Sequence, residues 1–188
     1  MTEREPTPEQ GTERDFTPRV YVADLAAYNN GLLHGEWVDA TQDPEDMWAA
    51  INAMLARSPI AGAEEIAIHD FEMGPVHLSE YESIETISRL GRGYDEHGIA
   101  FLHWAAYVGT SDPDDLDRFD GAYRGQHDSL TAWAEEFVNP DYIDSLLDEH
   151  LPSFIRNYVT VDYEALGSDL AHDCHVAEDG GSLHVFEL

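Results

Sequence analysis

The chain has 188 residues, of which 43% are apolar and 11% aromatic, enough for a packed core, so it is not a disordered acidic tail. Its 39 acidic residues stand against nine basic ones, all arginine, and the formal charge of −30 disfavours direct binding to nucleic acid or to anionic membranes. The single cysteine, Cys174, excludes an internal disulfide.

The first segment, residues 1–18, is rich in Pro, Thr and Glu and is predicted to be a disordered tail. It has no apolar stretch of the kind found in signal peptides, and no run of 18 apolar residues occurs anywhere in the chain. With one cysteine and no targeting signal, we expect a cytoplasmic protein.

Residues 19–75 are predicted to form an N-terminal α+β domain. Alternating apolar residues predict strands at 19–25, 34–40 and 64–72, and we expect a loop at 26–33 with a turn at Asn30-Gly31. A helix is expected after Asp43, an N-cap candidate followed by Pro44. Its expected buried stripe consists of Met47, Ile51, Met54 and Leu55.

Residues 76–118 are predicted to form a central helical domain. "SEYESIETISRLG" predicts a helix with Ser79 as cap and Gly91 as stop. "GIAFLHWAAYVG" is apolar nearly all round, which indicates a buried helix. The aspartate-rich stretch that follows, "DPDDLDRFDG" (112–121), fits the cap and first turn of a short helix.

Residues 119–188 are predicted to form a C-terminal α+β domain. We expect a strand in "FDGAYRG", helices in "HDSLTAWAEEFV", "NPDYIDSLLDEH" and "VDYEALGSDLAHD", and two final strands joined by a turn at Gly180-Gly181. Asn139 is the expected cap of the second helix, with Pro140 at its first position. In that helix Asp141, Asp144 and Asp148 fall on one face.

The sequence motifs give little support to a metal site or to catalysis. An EF-hand loop that began at Asp112 would place Leu116 and Asp117 where a ligand and a glycine are required. In "HDCH" (172–175) the ligand set for zinc is incomplete, and a strand with Cys174 and Val176 inward and His175 outward is favoured. No nucleophile motif or phosphate loop is present, so we predict no enzyme, no metal and no cofactor.

The negative charge is spread along the whole chain. The net charge is −3 for residues 1–18, −8 for 19–75, −6 for 76–118 and −13 for 119–188. Thirty charges match about 50 Å of duplex DNA by linear density. Composition alone leaves two explanations open: acidic adaptation to high salt, or a functional polyanion whose carboxylates stand in for phosphates.

Four stretches distinguish between these explanations. "VYVADLAAYNNGLLHGEWVDAT" (20–41), "EEIAIHDFE" (64–72), "LSEYESIETISRL" (78–90) and "NYVTVDYEALGSDL" (157–170) resemble, in the same order, landmarks of the ArdA-type antirestriction proteins. The resemblance covers about residues 19–188, while the tail 1–18 has no clear counterpart. The family's antirestriction motif is expected in the acidic region 112–149, without a residue-by-residue placement.

The resemblance implies a DNA mimic encoded on mobile elements, which binds type I restriction–modification enzymes in place of DNA and inhibits restriction, often modification too. It also implies an α+β fold of three small domains in an elongated, curved arrangement that dimerises through the C-terminal domain. The expected partners are the specificity and modification subunits, with no direct nucleic acid or membrane binding. The expected phosphate-mimicking carboxylates are Asp112, Asp114, Asp115, Asp117, Asp120, Asp128, Glu135, Glu136, Asp141, Asp144, Asp148 and Glu149.

Two alternatives to DNA mimicry are a salt-adapted acidic protein with another role and an acidic metal-binding protein. Stability that rises strongly in molar salt would favour the first. Defined stoichiometry with calcium or zinc in calorimetry would favour the second.

Overall fold

The computed structural model describes residues 16–188 and divides into two compact units, one ending at Leu102 and the other comprising His103–Leu188. We call them unit 1 and unit 2. Both helices and strands are present, with one three-stranded antiparallel sheet in each unit, which confirms the α+β class. The three-domain division remains a prediction, and most of the expected tail lies outside the described residues.

The described elements are six strands, ten α-helices and one 3-10 turn. The strands are β1 (Arg19–Asp24), β2 (Gly35–Asp39), β3 (Ile66–Glu72), β4 (Tyr123–His127), β5 (Cys174–Asp179) and β6 (Ser182–Glu187). The helices are α1 (Leu25–Asn29), α2 (Pro44–Leu55), α3 (Ile84–His97), α4 (Ile99–Val108), α5 (Pro113–Asp117), α6 (Phe119–Ala122), α7 (Leu130–Val138), α8 (Pro140–His150), α9 (Ser153–Arg156) and α10 (Tyr163–Leu170). A 3-10 turn at Ala171–Asp173 leads into β5.

The sheet of unit 1 has the order β2-β1-β3, with all neighbours antiparallel. Val20 and Val22 on β1 are fully buried, as the alternating pattern predicted, and they pair with Val38 on β2 and Ile68 on β3 respectively. Since successive side chains of a strand point to opposite faces, this alternation places one face of β1 on the core.

The predicted loop at 26–33 is partly wrong, because Leu25–Asn29 form the short helix α1. Its N-cap is Asp24, whose carboxylate accepts a hydrogen bond from the Ala27 amide at 3.1 Å. Asp24 is completely buried and also accepts from Ser58 Oγ at 2.5 Å. A capping aspartate that directly follows a strand was the available signal for this helix.

Helix α2 largely follows the prediction. Pro44 stands at its first position, and Met47, Ile51 and Met54 are buried, whereas Leu55 is only half-buried. Asp43 occupies the N-cap position, but its side chain makes no capping hydrogen bond. Its carboxylate instead pairs with Arg92 at 2.8 Å.

Both predicted ends of α3 are wrong. The helix is capped by Ser83, which accepts from the Thr86 amide at 3.0 Å, whereas Ser79 accepts from the Tyr81 amide in the preceding turn. Gly91 lies inside the helix, where a Cβ would overlap the carbonyl of Ala40. The helix continues to His97 and stops at Gly98, whose φ of +68° favours glycine.

The sheet of unit 2 has the order β4-β6-β5 and is also antiparallel. The turn at Gly180-Gly181 joins β5 to β6 as predicted, with positive φ at both residues. The first part of the predicted strand "FDGAYRG" is wrong, since 119–122 are helical and β4 begins at Tyr123.

The predicted orientation of β5 is wrong for His175, which does not point outward. His175 stacks on Tyr107 with ring centroids 4.0 Å apart, and it lies opposite the buried Phe186 in the strand register. Ala177, two residues on, is buried as well. Val176 is half-buried and lies opposite the buried Val185, so both faces of β5 are partly covered and the expected outward face is absent at this part of the strand.

Around this sheet, aromatic residues build the core of unit 2. Trp104 and Phe186 are almost fully buried, with their ring centroids 5.6 Å apart, and Trp133 of α7 is buried too. Helix α10 approaches α7 closely at Gly167, where a Cβ would overlap the carbonyl of Leu130. In contrast, α8 and α9 contain no buried residue, so they present most of their side chains to solvent.

Candidate acidic interaction surface

All twelve predicted carboxylates belong to unit 2, and together we call them the acidic surface. Eleven are exposed, and Asp115 is half-buried. They lie at and within α5, on α6, between β4 and α7, and on α7 and α8. The whole of unit 2 contains 19 acidic residues and three arginines, a net charge of −16.

The aspartates of α5 begin the acidic surface. Asp112 caps the helix, its carboxylate accepting from the Asp114 amide at 3.0 Å, as predicted for this stretch. Asp115 pairs with Arg118 at 3.4 Å, while its backbone carbonyl accepts from the Trp104 indole at 2.9 Å. The buried Trp104 and Leu116 therefore fix α5, and its acids are held at defined positions.

On α7, two adjacent glutamates point away from the buried side. Glu136 approaches the buried His127 of β4, with 3.3 Å between Oε2 and Nδ1, while the other ring nitrogen of His127 lies 3.1 Å from the Arg124 carbonyl. Glu135 is exposed.

Helix α8 carries the row of aspartates predicted on one face. Asn139 caps this helix with a φ of +53°, and its side chain accepts from the Tyr142 amide at 3.3 Å. Arg156 of α9 binds two of the aspartates, Asp144 at 2.7 Å and Asp148 at 2.6 Å. The hydrogen bond to Asp148, followed by attraction to both carboxylates, raises the pKa of Arg156 against the opposing effect of desolvation.

This arrangement separates the acidic surface into engaged and available groups. Seven members interact with another group of the protein: Asp112, Asp115, Asp117, Asp120, Glu136, Asp144 and Asp148. Among the described residues, five members make no ion pair and no side-chain hydrogen bond, and we call them the open carboxylates: Asp114, Asp128, Glu135, Asp141 and Glu149.

Several histidines lie on the sheet of unit 2 or against it. His184 of β6 is 3% exposed, and its Nδ1 lies 3.0 Å from the Tyr123 hydroxyl. The His103 ring stacks on it with centroids 5.6 Å apart and lies 3.9 Å from an Asp179 oxygen. Burial lowers the pKa values of His103, His175 and His184, so these rings favour the neutral form.

The pairing of Arg156 with two aspartates of α8 was not predicted from the sequence. The contact of His127 with Glu136 was not predicted either. The spacing of Asp144 and Asp148, four residues apart on a helix, could have indicated that one cation binds both. Arg156 is eight or more residues away in sequence, so only the folded chain identifies it as that cation.

Neither a metal centre nor a membrane span is found in the part of the chain that the structure describes. No three His, Cys, Asp or Glu side chains within 16–188 are grouped so that they could hold a metal ion. Over the same residues, every helix is too short or too polar to cross a bilayer.

Comparison with known proteins gives one assignment. The family model described as antirestriction protein (ArdA) matches residues 20–182. That family consists of inhibitor proteins and is not a family of enzymes. No curated protein sequence matches the chain. The match spans most of unit 1 and of unit 2, and the chain therefore belongs to the ArdA family of antirestriction proteins.

Proposed function

We propose that this antirestriction protein acts as a DNA mimic, binding the DNA-reading groove of a type I restriction–modification enzyme and inhibiting restriction and modification. The observation that carries the proposal is the acidic surface itself: eleven of its twelve carboxylates are exposed on a folded unit. The partner would be the groove formed by the specificity and modification subunits. The protein would inhibit the enzyme by occupying this groove in place of DNA, without catalysing a reaction.

Electrostatics supports this mode of binding. A groove that reads DNA carries Lys and Arg placed for phosphates, and binding releases the counterions condensed around a dense polyanion. Fixed carboxylates on helices such as α5 and α8 offer the same charge without the flexibility of an acidic tail. Long-range attraction between opposite charges also speeds the encounter at low salt.

The engaged carboxylates have a different place in this proposal from the open carboxylates. Asp144 and Asp148 share the positive charge of Arg156, so the pair presents one net negative charge. The open carboxylates keep their full charge toward a partner, and they are our first candidates for phosphate mimics.

The proposal includes a homodimer. Two chains would carry −60, which matches on the order of 100 Å of duplex by linear charge density. The C-terminal part of the chain is the proposed contact, as the family resemblance implies.

The decisive experiment is competition for DNA in vitro. Purified protein is titrated into a type I methyltransferase bound to its labelled DNA, first at 50 mM salt and then at increasing salt. We expect displacement of the DNA at 50 mM with an apparent affinity that falls steeply as salt rises. Absence of competition at 50 mM would refute the proposal.

A cellular assay tests the biological consequence. Phage carrying unmodified target sites are plated on a restricting host with and without the protein. Higher plating efficiency in its presence is the expected result. Equal efficiency, with the protein present at normal levels, would leave the salt-adapted protein as the better explanation.

A further inference from the structure

A second candidate recognition feature belongs to unit 1, whereas all residues of the acidic surface belong to unit 2. A shallow cavity of about 220 Å³ opens between Trp48 of α2, strand β3 and the segment that leads into α3. Its lining includes Ile66, Ala67 and Ile68. The Glu80 carbonyl accepts from the Ile68 amide at 2.8 Å, so this segment runs along β3 and closes one side.

Two aromatic side chains among the lining residues remain accessible to solvent. Tyr81 is 72% exposed and Trp48 is 36% exposed. Exposed aromatic rings beside apolar residues provide a surface for the methylene stem of a long side chain, and their faces attract a cation.

Carboxylates determine the charge that the cavity favours. Glu80 and Glu85 are among its lining residues, and the Trp48 indole lies 3.5 Å from a Glu85 oxygen. The N-terminus of α3 also reaches the cavity and contributes roughly half a positive charge. The negative charges of Glu80 and Glu85 outweigh that dipole, and the His69 ring lies 3.9 Å from Glu80.

The same combination of groups already holds an arginine elsewhere in unit 1. The Arg19 guanidinium lies 4.7 Å from the centroid of Trp37 and pairs with Glu72 at 2.7 Å. Trp37 is 37% exposed, close to the value for Trp48. A half-exposed tryptophan with a neighbouring glutamate is thus an arginine-binding unit in this very chain.

From this correspondence we infer that the cavity lined by Trp48, Tyr81, Glu80 and Glu85 is a docking site for an arginine side chain of a partner protein. Arginine fits better than lysine, because its planar guanidinium stacks on aromatic rings, pairs with carboxylates through several donors and is less strongly hydrated. The inference adds a discrete anchor to the diffuse attraction of the acidic surface, and it does not require that surface to bind DNA-reading enzymes.

The test is an NMR titration of the ¹⁵N-labelled full chain with N-acetyl-argininamide in 150 mM salt. The Trp48 indole resonance, identified among the four tryptophans by its loss in Trp48→Phe, reports on the site. N-acetyl-citrullinamide is a neutral ligand of nearly the same shape, and N-acetyl-lysinamide has the same charge. We expect saturable shifts, with arginine favoured over citrulline by about two- to fivefold.

Variants separate the cavity from general attraction to a protein of charge −30. Tyr81→Ala and Glu85→Gln should abolish the preference for arginine, whereas Tyr158→Ala, which removes a comparably exposed tyrosine from unit 2, should retain it. Equal binding of citrulline or of lysine would overturn the inference, as would an unchanged preference in Tyr81→Ala.

The link to a protein partner is tested in the competition assay described above. Tyr81→Ala should reduce the affinity for the methyltransferase about two- to fivefold. Leu33→Ala, which truncates an exposed side chain of unit 1 outside the cavity lining, should not. An unchanged affinity in Tyr81→Ala would overturn the assignment of the partner's arginine to this cavity. If the wild-type chain does not compete at all, the proposed function fails, while the NMR result still decides whether the cavity binds a guanidinium.

Discussion

At the scale of single residues, Asp24 shows how hydrogen bonds stabilise a buried carboxylate. Burial alone would raise the pKa of its carboxyl. Hydrogen bonds from Ser58 and from the Ala27 and Ala26 amides outweigh this effect and lower the pKa. A lowered pKa means that Asp24 stabilises the fold at neutral pH and that this contribution is lost as acid protonates the carboxylate.

Asp24→Ala should destabilise unit 1 far more than Asp43→Ala, although both residues occupy N-cap positions. Removal of Asp24 leaves a helix uncapped and the Ser58 hydroxyl without its acceptor, which together cost about 2–3 kcal/mol. Asp43 makes no capping bond, and its exposed pair with Arg92 contributes roughly 0–1 kcal/mol. Urea unfolding followed by circular dichroism measures both. Similar losses in the two variants would contradict this account.

At the scale of structural elements, the histidines on the sheet of unit 2 couple its stability to pH. His103 from α4 faces Asp179 of β5 and His184 of β6, and His184 in turn faces Tyr123 of β4. His127 of β4 also acts on His184, disfavouring its charged form. Neither His103 Nε2 nor His184 Nε2 has a hydrogen-bond partner within the described structure.

The free energy of unfolding of unit 2 should therefore fall as pH decreases below about 6.5. The pKa values of His103, His175 and His184 are lower in the folded chain than in the unfolded one, so the unfolded chain binds more protons in this range. Each such histidine changes the free energy of unfolding by up to about 1.4 kcal/mol per pH unit. Denaturant unfolding at half-unit steps between pH 7.5 and 5 measures the slope.

A matched pair of variants assigns that slope to the buried rings. His103→Gln should make the dependence on pH shallower, by up to one proton's contribution. His150→Gln, which changes an exposed histidine at the end of α8, should leave it unchanged. Identical slopes in both variants would show that other groups dominate.

Strands and helices with strong local sequence patterns were predictable. Where a helix ends, and which face of a strand is buried, was harder to predict. The pattern around Val20 and Val22 and the Gly180-Gly181 turn were sufficient for β1 and for the last hairpin. Gly91 was misread as a helix stop because its role is a close approach to Ala40, 51 residues away. The orientation of His175 depended on Tyr107, which lies on another element. Contacts between residues distant in sequence decided both points.

At the scale of the whole molecule, negative charge is distributed over both units in nearly equal amounts. Residues 1–102 contain 20 acids and six arginines, for −14, and unit 2 carries −16. The position of the acidic surface therefore cannot be read from total charge, and the candidate residues were selected by local density and family resemblance. The folded chain exposes eleven of the twelve, and their role as phosphate mimics remains a prediction. Partners such as Arg156, which the sequence did not reveal, divide them into engaged and open carboxylates.

Neutralising the five open carboxylates together should weaken binding to a type I methyltransferase by on the order of tenfold to a hundredfold at low salt, because each exposed pair contributes up to about 1 kcal/mol. The substitutions are Asp114→Asn, Asp128→Asn, Glu135→Gln, Asp141→Asn and Glu149→Gln. The dependence of affinity on salt should also become shallower. Each single substitution should have a small effect. The DNA competition assay provides the measurement.

The control removes the same amount of charge from unit 1, through amide substitutions at the exposed Glu45, Asp46, Glu64, Glu65 and Asp70. If net charge alone governs binding, this variant will lose as much affinity as the first. A larger loss from the unit 2 set would locate the bound face.

The pairing of arginines in unit 2 has a consequence for proteolysis. The chain has no lysine, so Arg118, Arg124 and Arg156 are the positions in residues 103–188 after which trypsin cleaves. Each side chain is held by a carboxylate: Arg118 by Asp115, Arg124 by Glu187, and Arg156 by Asp144 and Asp148. To enter the protease, an arginine must leave its partner and its segment must open locally. The rate of tryptic cleavage at these three positions therefore reports directly on local opening of unit 2.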